Sequence, residues 1–397
     1  MPDLLSLADA RTAVLARAHP LPAEDVAVGQ SAGRVLAADA RAAVDLPPFD
    51  ASAMDGFALR ARDTPGVLPV VARIAAGVPA DTPLAPGSAM GIATGGVVPA
   101  GAEAVIPLED VVDRDNEIEV ARSVDFGDNV RPRGGDLRAG DVVVARGTRL
   151  APAQVGALAA AGCASVSCGR RPAVAIVATG TELRRPGEPL EPGQVYEANG
   201  SMLAAALAAA NAIVDEVPFV VDDEAAHRQA VERALEADVV VTSGGVSVGP
   251  HDLVRAVERE LGVDEVFWGV AVKPGKPVSF GVRGDTLVFG LPGNPVSSLV
   301  AAELFVRPAL LALQGSADPG PPYEPGRLAC AVRRNARRDE LLRARRIADD
   351  GAVVLEPVTG QESHMIARAA TADALVLVPR GEGTLPAGAA VSYLRLA

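Results

Sequence analysis

Two lysines stand three residues apart in the stretch VAVKPGKPVSF, Lys273 and Lys276, and the 397-residue sequence contains no other lysine. An ammonium is a compact point charge, whereas a guanidinium is a planar fork. In a chain that writes its other strong cations as arginine, two surviving lysines mark a place where the fork cannot substitute. Pro274 and Pro277 stiffen the turn and Gly275 permits close approach, which suits two ammonium groups converging on a small oxyanion. Chance survival on the surface is the alternative.

Three further segments have the composition of anion-binding turns: VATGTEL after a strand ending at Ala178, TSGGVSVGPHD after DVVVT, and GLPGNPVSS opening a helix. Glycine with Ser or Thr lets main-chain N–H groups approach an anion, so Gly244, Gly245 and Ser247 are candidate ligand contacts. GVSVG also fits the nucleophile elbow GxSxG, which would make Ser247 a hydrolase nucleophile with His364 as partner. Against this, Ser247 follows the strand end near Thr242 by several residues, and no oxyanion segment precedes it. Pro250-His251 replaces the Lys-Ser/Thr of a P-loop, and no GxGxxG follows the first strand.

Glu182, Asp222 and Asp252 fall where helices or turns begin, beside Asp223, so capping accounts for such acids in part. At an anion-binding edge they would repel the ligand unless a metal bridged them. Mg²⁺ held by Glu182, Asp222 and Asp252 is the corresponding expectation. Asp50 and Asp55 in PPFDASAMDGFA and Thr94 in IATGG lie in turn-like sequence, and Ser363 and His364 in PVTGQESH read as a loop.

Alternation of continuous apolar strands with helices from Arg171 predicts an α/β unit over 171–315 with a parallel sheet covered on both faces. Its strands and helices are AVAIVAT, SMLAAALAAANA, AIVDEVPFV, EAAHRQAVERALEA, DVVVT and DLVRAVERELG, then a hairpin, VSFGVRGDTLVFG, and a last helix. Short Val-rich runs between Gly/Pro turns predict a β-rich insertion over 41–140. The flanks, 1–40 and 141–170, each read as strand plus helix and predict one small discontinuous domain, with helices over 6–18 and again after VAV at 26–28. Beyond the linker ADPGPPYEPG, residues 316–397 predict a small β-barrel. The expected fold class is thus multidomain α/β.

A net charge of −13 argues against a nucleic-acid or membrane-surface binder, which would need a basic face. The start MPDLLSLADAR lacks the basic-then-apolar order of a signal peptide, so a cytoplasmic protein without membrane insertion is expected. Three cysteines without a CxxC pair and four scattered histidines do not suggest a disulfide framework or structural zinc.

In this order, PPFDASAMDGFA, IATGGVVPAGAEAV, RPRGGD, ATGTEL with PGQVYEANG, TSGGVSVG, KPGKPVSFG and GLPGNPVSS resemble the molybdopterin molybdenumtransferase family, which includes MoeA and the E domain of gephyrin. The resemblance spans most of the chain. It implies a four-domain subunit with a MogA/MoaB-like central domain, a homodimer, and Mg²⁺-assisted insertion of molybdate into adenylylated molybdopterin with release of AMP. It ties Asp55, Thr94, Asp136, Glu182, Asp222 and Asp252 to catalysis. It places Pro292 and Pro295 in the ligand-binding GLPGNP loop, and Lys273, Lys276, Ser297, Arg343 and Ser363 around the molybdate. A MogA-like adenylyltransferase or molybdoenzyme chaperones are the implied protein partners, and a gephyrin-like scaffold role is the alternative within the family. Gly269, Gly135 and Glu362 depart from the family pattern, and Glu362 would bring a negative charge toward the expected oxyanion.

Overall fold

The protein was analysed as a computed structural model, which describes residues 4–220, 223–244, 253–349 and 351–396. At its centre is a six-stranded sheet, in the order Ile213–Val220, Ala173–Thr179, Val239–Ser243, Thr286–Leu291, Ser279–Arg283 and Asp264–Trp268. The first four strands run parallel, and the last two close the sheet through an antiparallel hairpin. The two-residue period of a strand sorts its apolar side chains onto two faces. Val174, Ile176, Val239, Val241, Leu287 and Phe289 belong to one core. Their neighbours Ala175, Val177, Val240 and Val288 belong to another. The first core is covered by the helix Asn199–Ala209 and by the apolar helical run Pro295–Leu313, itself mostly buried; Glu224–Ala234 and Leu253–Glu260 cover the second. Continuous apolar strands are therefore required, because neither face meets water.

The N-terminal helix, Leu7–Leu15, was expected in the small discontinuous domain, but Leu7, Ala10 and Val14 pack into the first core of the central sheet. A second helix was expected between residues 28 and 40. Only one 3₁₀ turn, Val28–Gln30, forms there. Gly33 adopts φ +77°, which interrupts helical geometry, and Val35 and Leu36 bridge instead to Arg149 and Cys168. The small unit therefore consists of the strand Ala23–Ala27 paired with Ser165–Gly169, Ala40–Arg41 paired with Val142–Val144, and the helix Pro152–Ala160.

Between its halves stands the insertion, a six-stranded sheet in the order Ala104–Pro107, Gly56–Leu59, Ala89–Ile92, Gly66–Ile74, Glu117–Val120 and Val111–Asp113, with apolar clusters of its own. The C-terminal region is a closed five-stranded barrel. Asp339–Asp349 pairs with both Ala352–Pro357 and Ala374–Val378, and Glu324–Leu328 and Ala390–Arg395 complete the circle around Leu342, Leu355, Val376 and Tyr393. One short strand of the central domain, Val272–Lys273, pairs in parallel with the start of Asp339–Asp349, which fastens the lysine segment to the barrel.

Candidate functional site

Three adjacent parallel strands end side by side at Thr179, Ser243 and Leu291. Gly244 continues the middle one at φ +99°, and a Cβ there would lie 2.8 Å from the Thr179 carbonyl oxygen, so only glycine fits. Its N–H donates to the Leu291 carbonyl at 3.1 Å. Expected as a donor to ligand, Gly244 instead spends its proton inside the fold and contributes close packing. Asn199, at the start of its helix, donates through Nδ2 to Ser243 Oγ at 2.9 Å and to the Gly293 carbonyl at 2.8 Å. One amide thus ties the second strand end to the GLPGNP turn. The exposed Glu182 carboxylate folds back over Gly180, where a Cβ would stand 2.6 Å from Oε2, and it accepts no hydrogen bond among the described residues.

The GLPGNP turn is fixed from both sides. The Pro292 carbonyl accepts from the Ser298 hydroxyl, and Pro295 occupies the first helical turn, where its fixed φ and missing N–H cost nothing. Asn294 Nδ2 donates to Ser363 Oγ at 3.0 Å, and Val296 N–H donates to the Ser363 carbonyl at 3.1 Å. Ser363 is therefore brought from the barrel onto the central domain. Ser297 is buried in the same helical turn, and its carbonyl lies 3.6 Å from where a Cβ on Gly275 would sit, so the KPGKP loop packs against that turn.

The two lysines are not equivalent. Lys273 Nζ donates to Glu340 Oε1 at 2.7 Å, with the Glu340 side chain only 11% exposed and that of Lys273 44%. The Lys276 ammonium has no hydrogen bond or ion pair among the described residues, while its carbonyl accepts from Val270 and Val278. The expectation of two free ammonium groups is corrected to one free and one neutralised.

Arg343 is corrected too. Expected to face the oxyanion, it is 1% exposed and donates to the carbonyls of Met365 at 3.1 Å, Gly360 at 2.9 Å and Glu362 at 3.2 Å. Gln361 Nε2 returns bonds to the Arg343 and Val358 carbonyls at 2.9 and 2.8 Å. Burial lowers the Arg343 pKa from the usual guanidinium value, and the charge of Glu362 opposes that shift. The guanidinium thus shapes the loop that presents Ser363.

In the insertion, Asp55 Oδ1 accepts from Thr94 N–H at 2.6 Å and from Thr94 Oγ1 at 2.9 Å. The main-chain donor first, then the hydroxyl, hold the Asp55 carboxyl below its usual range. Gly56 follows because a Cβ there would collide with the Ile106 carbonyl, so MDG encodes close strand packing as well as a bend. Asp136 is exposed, and its N–H donates to the Leu46 carbonyl at 3.0 Å. Among the described residues no hydrogen bond or ion pair joins residues 46–139 to residues 171–396, so within one chain no direct polar contact ties Asp55, Thr94 or Asp136 to the lysine loop. Gly245, Ser247, Asp222 and Asp252 lie outside the described residues, among which no group of three His, Cys, Asp or Glu is placed to hold a metal. Asn199, Asn294 and Glu340 escape a reading of the sequence. The two asparagines sit inside the segments YEANG and GLPGNP that signal a site; an acid opening a barrel strand carries no signal.

The chain matches three family descriptions in succession: "MoeA N-terminal region (domain I and II)" over residues 5–162, "Probable molybdopterin binding domain" over 175–312, and "MoeA C-terminal region (domain IV)" over 325–396. It is 36% identical over 378 residues to Molybdopterin molybdenumtransferase 2 of Mycobacterium tuberculosis, covering 91% of this chain and 92% of that protein. Identity to the Molybdopterin molybdenumtransferase of Haemophilus influenzae is 33%, covering 98% of each. The crystal structure of the molybdopterin biosynthesis MoeA protein from Pyrococcus horikoshii OT3 superposes with a TM-score of 0.84 at 28% identity, over 99% of this chain and 100% of that one. Sequence, fold and domain order agree along the whole length, and the chain belongs to the molybdopterin molybdenumtransferase family, transferases of molybdenum cofactor biosynthesis.

Proposed function

We propose that this chain transfers molybdate into adenylylated molybdopterin, releasing AMP. The observation that carries the reading is the packing of the KPGKP loop, which carries a Lys276 ammonium without an ion pair among the described residues, against the GLPGNP turn that also holds the Ser363 loop. A tetrahedral dianion needs a compact cation and directed donors without a large cavity. Lys276 supplies the charge. Ser363, whose Oγ accepts from Asn294, keeps its own proton to donate to an oxyanion oxygen. Asn199 keeps the strand-end loops in register for the phosphate-bearing pterin.

The exposed Glu182 carboxylate, without a hydrogen bond or ion pair among the described residues, fits a hard divalent cation, and Asp222 and Asp252 would complete the donor set. Mg²⁺ bound there would offset phosphate charge while the bond to AMP breaks. Because no direct polar contact among the described residues of one chain ties Asp55 and Thr94 to the lysine loop, the reading includes a homodimer in which the partner subunit contributes the insertion.

The test incubates the protein with adenylylated molybdopterin, Mg²⁺ and molybdate and follows AMP release. Glu182→Gln should bind the pterin normally and release AMP at least about tenfold more slowly. Mixing inactive Asp55→Asn and Glu182→Gln proteins under subunit exchange should restore part of the activity. No AMP from the wild-type protein would refute the transferase reading, and no recovery despite proven exchange would refute the shared site.

A further inference from the structure

We infer that Glu340 is a positioning residue for Lys273 and that its charge holds molybdate affinity below what two lysines would otherwise give; this rests on the proposed transfer of molybdate. Glu340 belongs to the barrel and Lys273 to the central domain. Their main chains are register partners in the parallel pairing of Val272–Lys273 with Asp339–Asp349, and their side chains meet at 2.7 Å. No other cation pairs with Glu340 among the described residues, and the neighbouring acid, Asp339, accepts from the Arg380 N–H instead. A carboxylate this buried without a cation is costly, so each group holds the other.

Two consequences follow. One of the three ammonium donors of Lys273 is committed to Glu340, which fixes the direction of the remaining two. The net charge of the Lys273, Lys276 and Glu340 group is +1, so an incoming dianion meets a carboxylate as well as two ammonium groups. Such a site captures the oxyanion reversibly and can surrender it to the pterin.

Binding of inorganic molybdate to the full-length protein, measured by calorimetry across a salt series, tests this. Glu340→Gln keeps an oxygen that accepts from the ammonium but removes the charge, so molybdate should bind about three- to tenfold more tightly, with a steeper dependence on salt. Lys273→Ala leaves Glu340 unpaired and should weaken binding. The double variant, Lys273→Ala with Glu340→Gln, should recover part of that loss. A merely structural Glu340 would shift the melting temperature of these variants without this pattern. If wild-type protein binds molybdate and Lys276→Ala weakens it, but Glu340→Gln binds equally or more weakly, this inference is overturned and the transfer reading stands. If the wild-type protein does not bind molybdate at all, both fall.

Discussion

Lys276 offers the sharpest test of the oxyanion site, because of the two ammonium groups it is the one without a partner among the described residues. Replacing it with alanine removes no ion pair among the described residues and strands no buried partner there, so the variant should fold normally. What it loses is a charge-assisted hydrogen bond to the ligand, worth about 1.5 to 3 kcal/mol. The residue is half-buried rather than enclosed, so water screens part of the interaction and the lower portion of that range applies, about 1.5 to 2 kcal/mol. At about 1.4 kcal/mol per decade, the molybdate concentration for half-maximal insertion should rise about ten- to thirtyfold. Lys276→Arg should recover little, since a forked guanidinium does not reproduce the compact ammonium beside Gly275 and Ser297. The assay is AMP release against molybdate concentration at saturating adenylylated molybdopterin, with pterin binding measured separately. The maximal rate and pterin affinity should stay near those of the wild type, because added molybdate makes up for weaker capture. Superimposable molybdate titrations for wild type and Lys276→Ala would refute the assignment. A fall in pterin affinity alone would move Lys276 to the pterin side of the site.

Thr94→Val should raise the Asp55 pKa only part of the way to the ordinary carboxylate value, because the larger cause of its depression, the Thr94 N–H, survives the change. A depressed pKa means that the stabilisation is present above the ordinary carboxylate range and is lost as pH falls through the folded value. A carboxyl titration followed by NMR that shows no rise would remove the hydroxyl from the account. Gly244→Ala forces a Cβ to 2.8 Å from the Thr179 carbonyl at a left-handed φ, so it should cost at least about 1 kcal/mol of stability and push the Thr179 and Ser243 strand ends apart. Denaturant melts that coincide with wild type would show that the two strand ends give way freely.

The sequence alone determined the fold class, a multidomain α/β chain with β-rich stretches around a parallel-sheet unit. Short unbroken Val-rich runs such as AVAIVAT and DVVVT favour strands covered on both faces, and Gly/Pro turns among short Val-rich runs favour a β-rich module. These patterns are local, set by a period of two or 3.6 residues, so they survive without any knowledge of contacts. The helix expected after Val28 failed because a weak apolar pattern yielded to the left-handed Gly33 and to pairing with residues more than a hundred positions away.

Only the tertiary structure could decide which charges are free. Lys273 and Lys276 look alike in KPGKP, yet a barrel strand 67 residues further on places Glu340 against the first and leaves the second open. Arg343 likewise reads as a free cation until the loop folds around it and consumes its donors. The packing of Leu7–Leu15 into the first core, against the helical run 302–313, was equally hidden, since a helix with one apolar face must bury it but does not specify against what. The availability of a charge depends on partners brought together by chain closure, and sequence spacing carries no record of that distance.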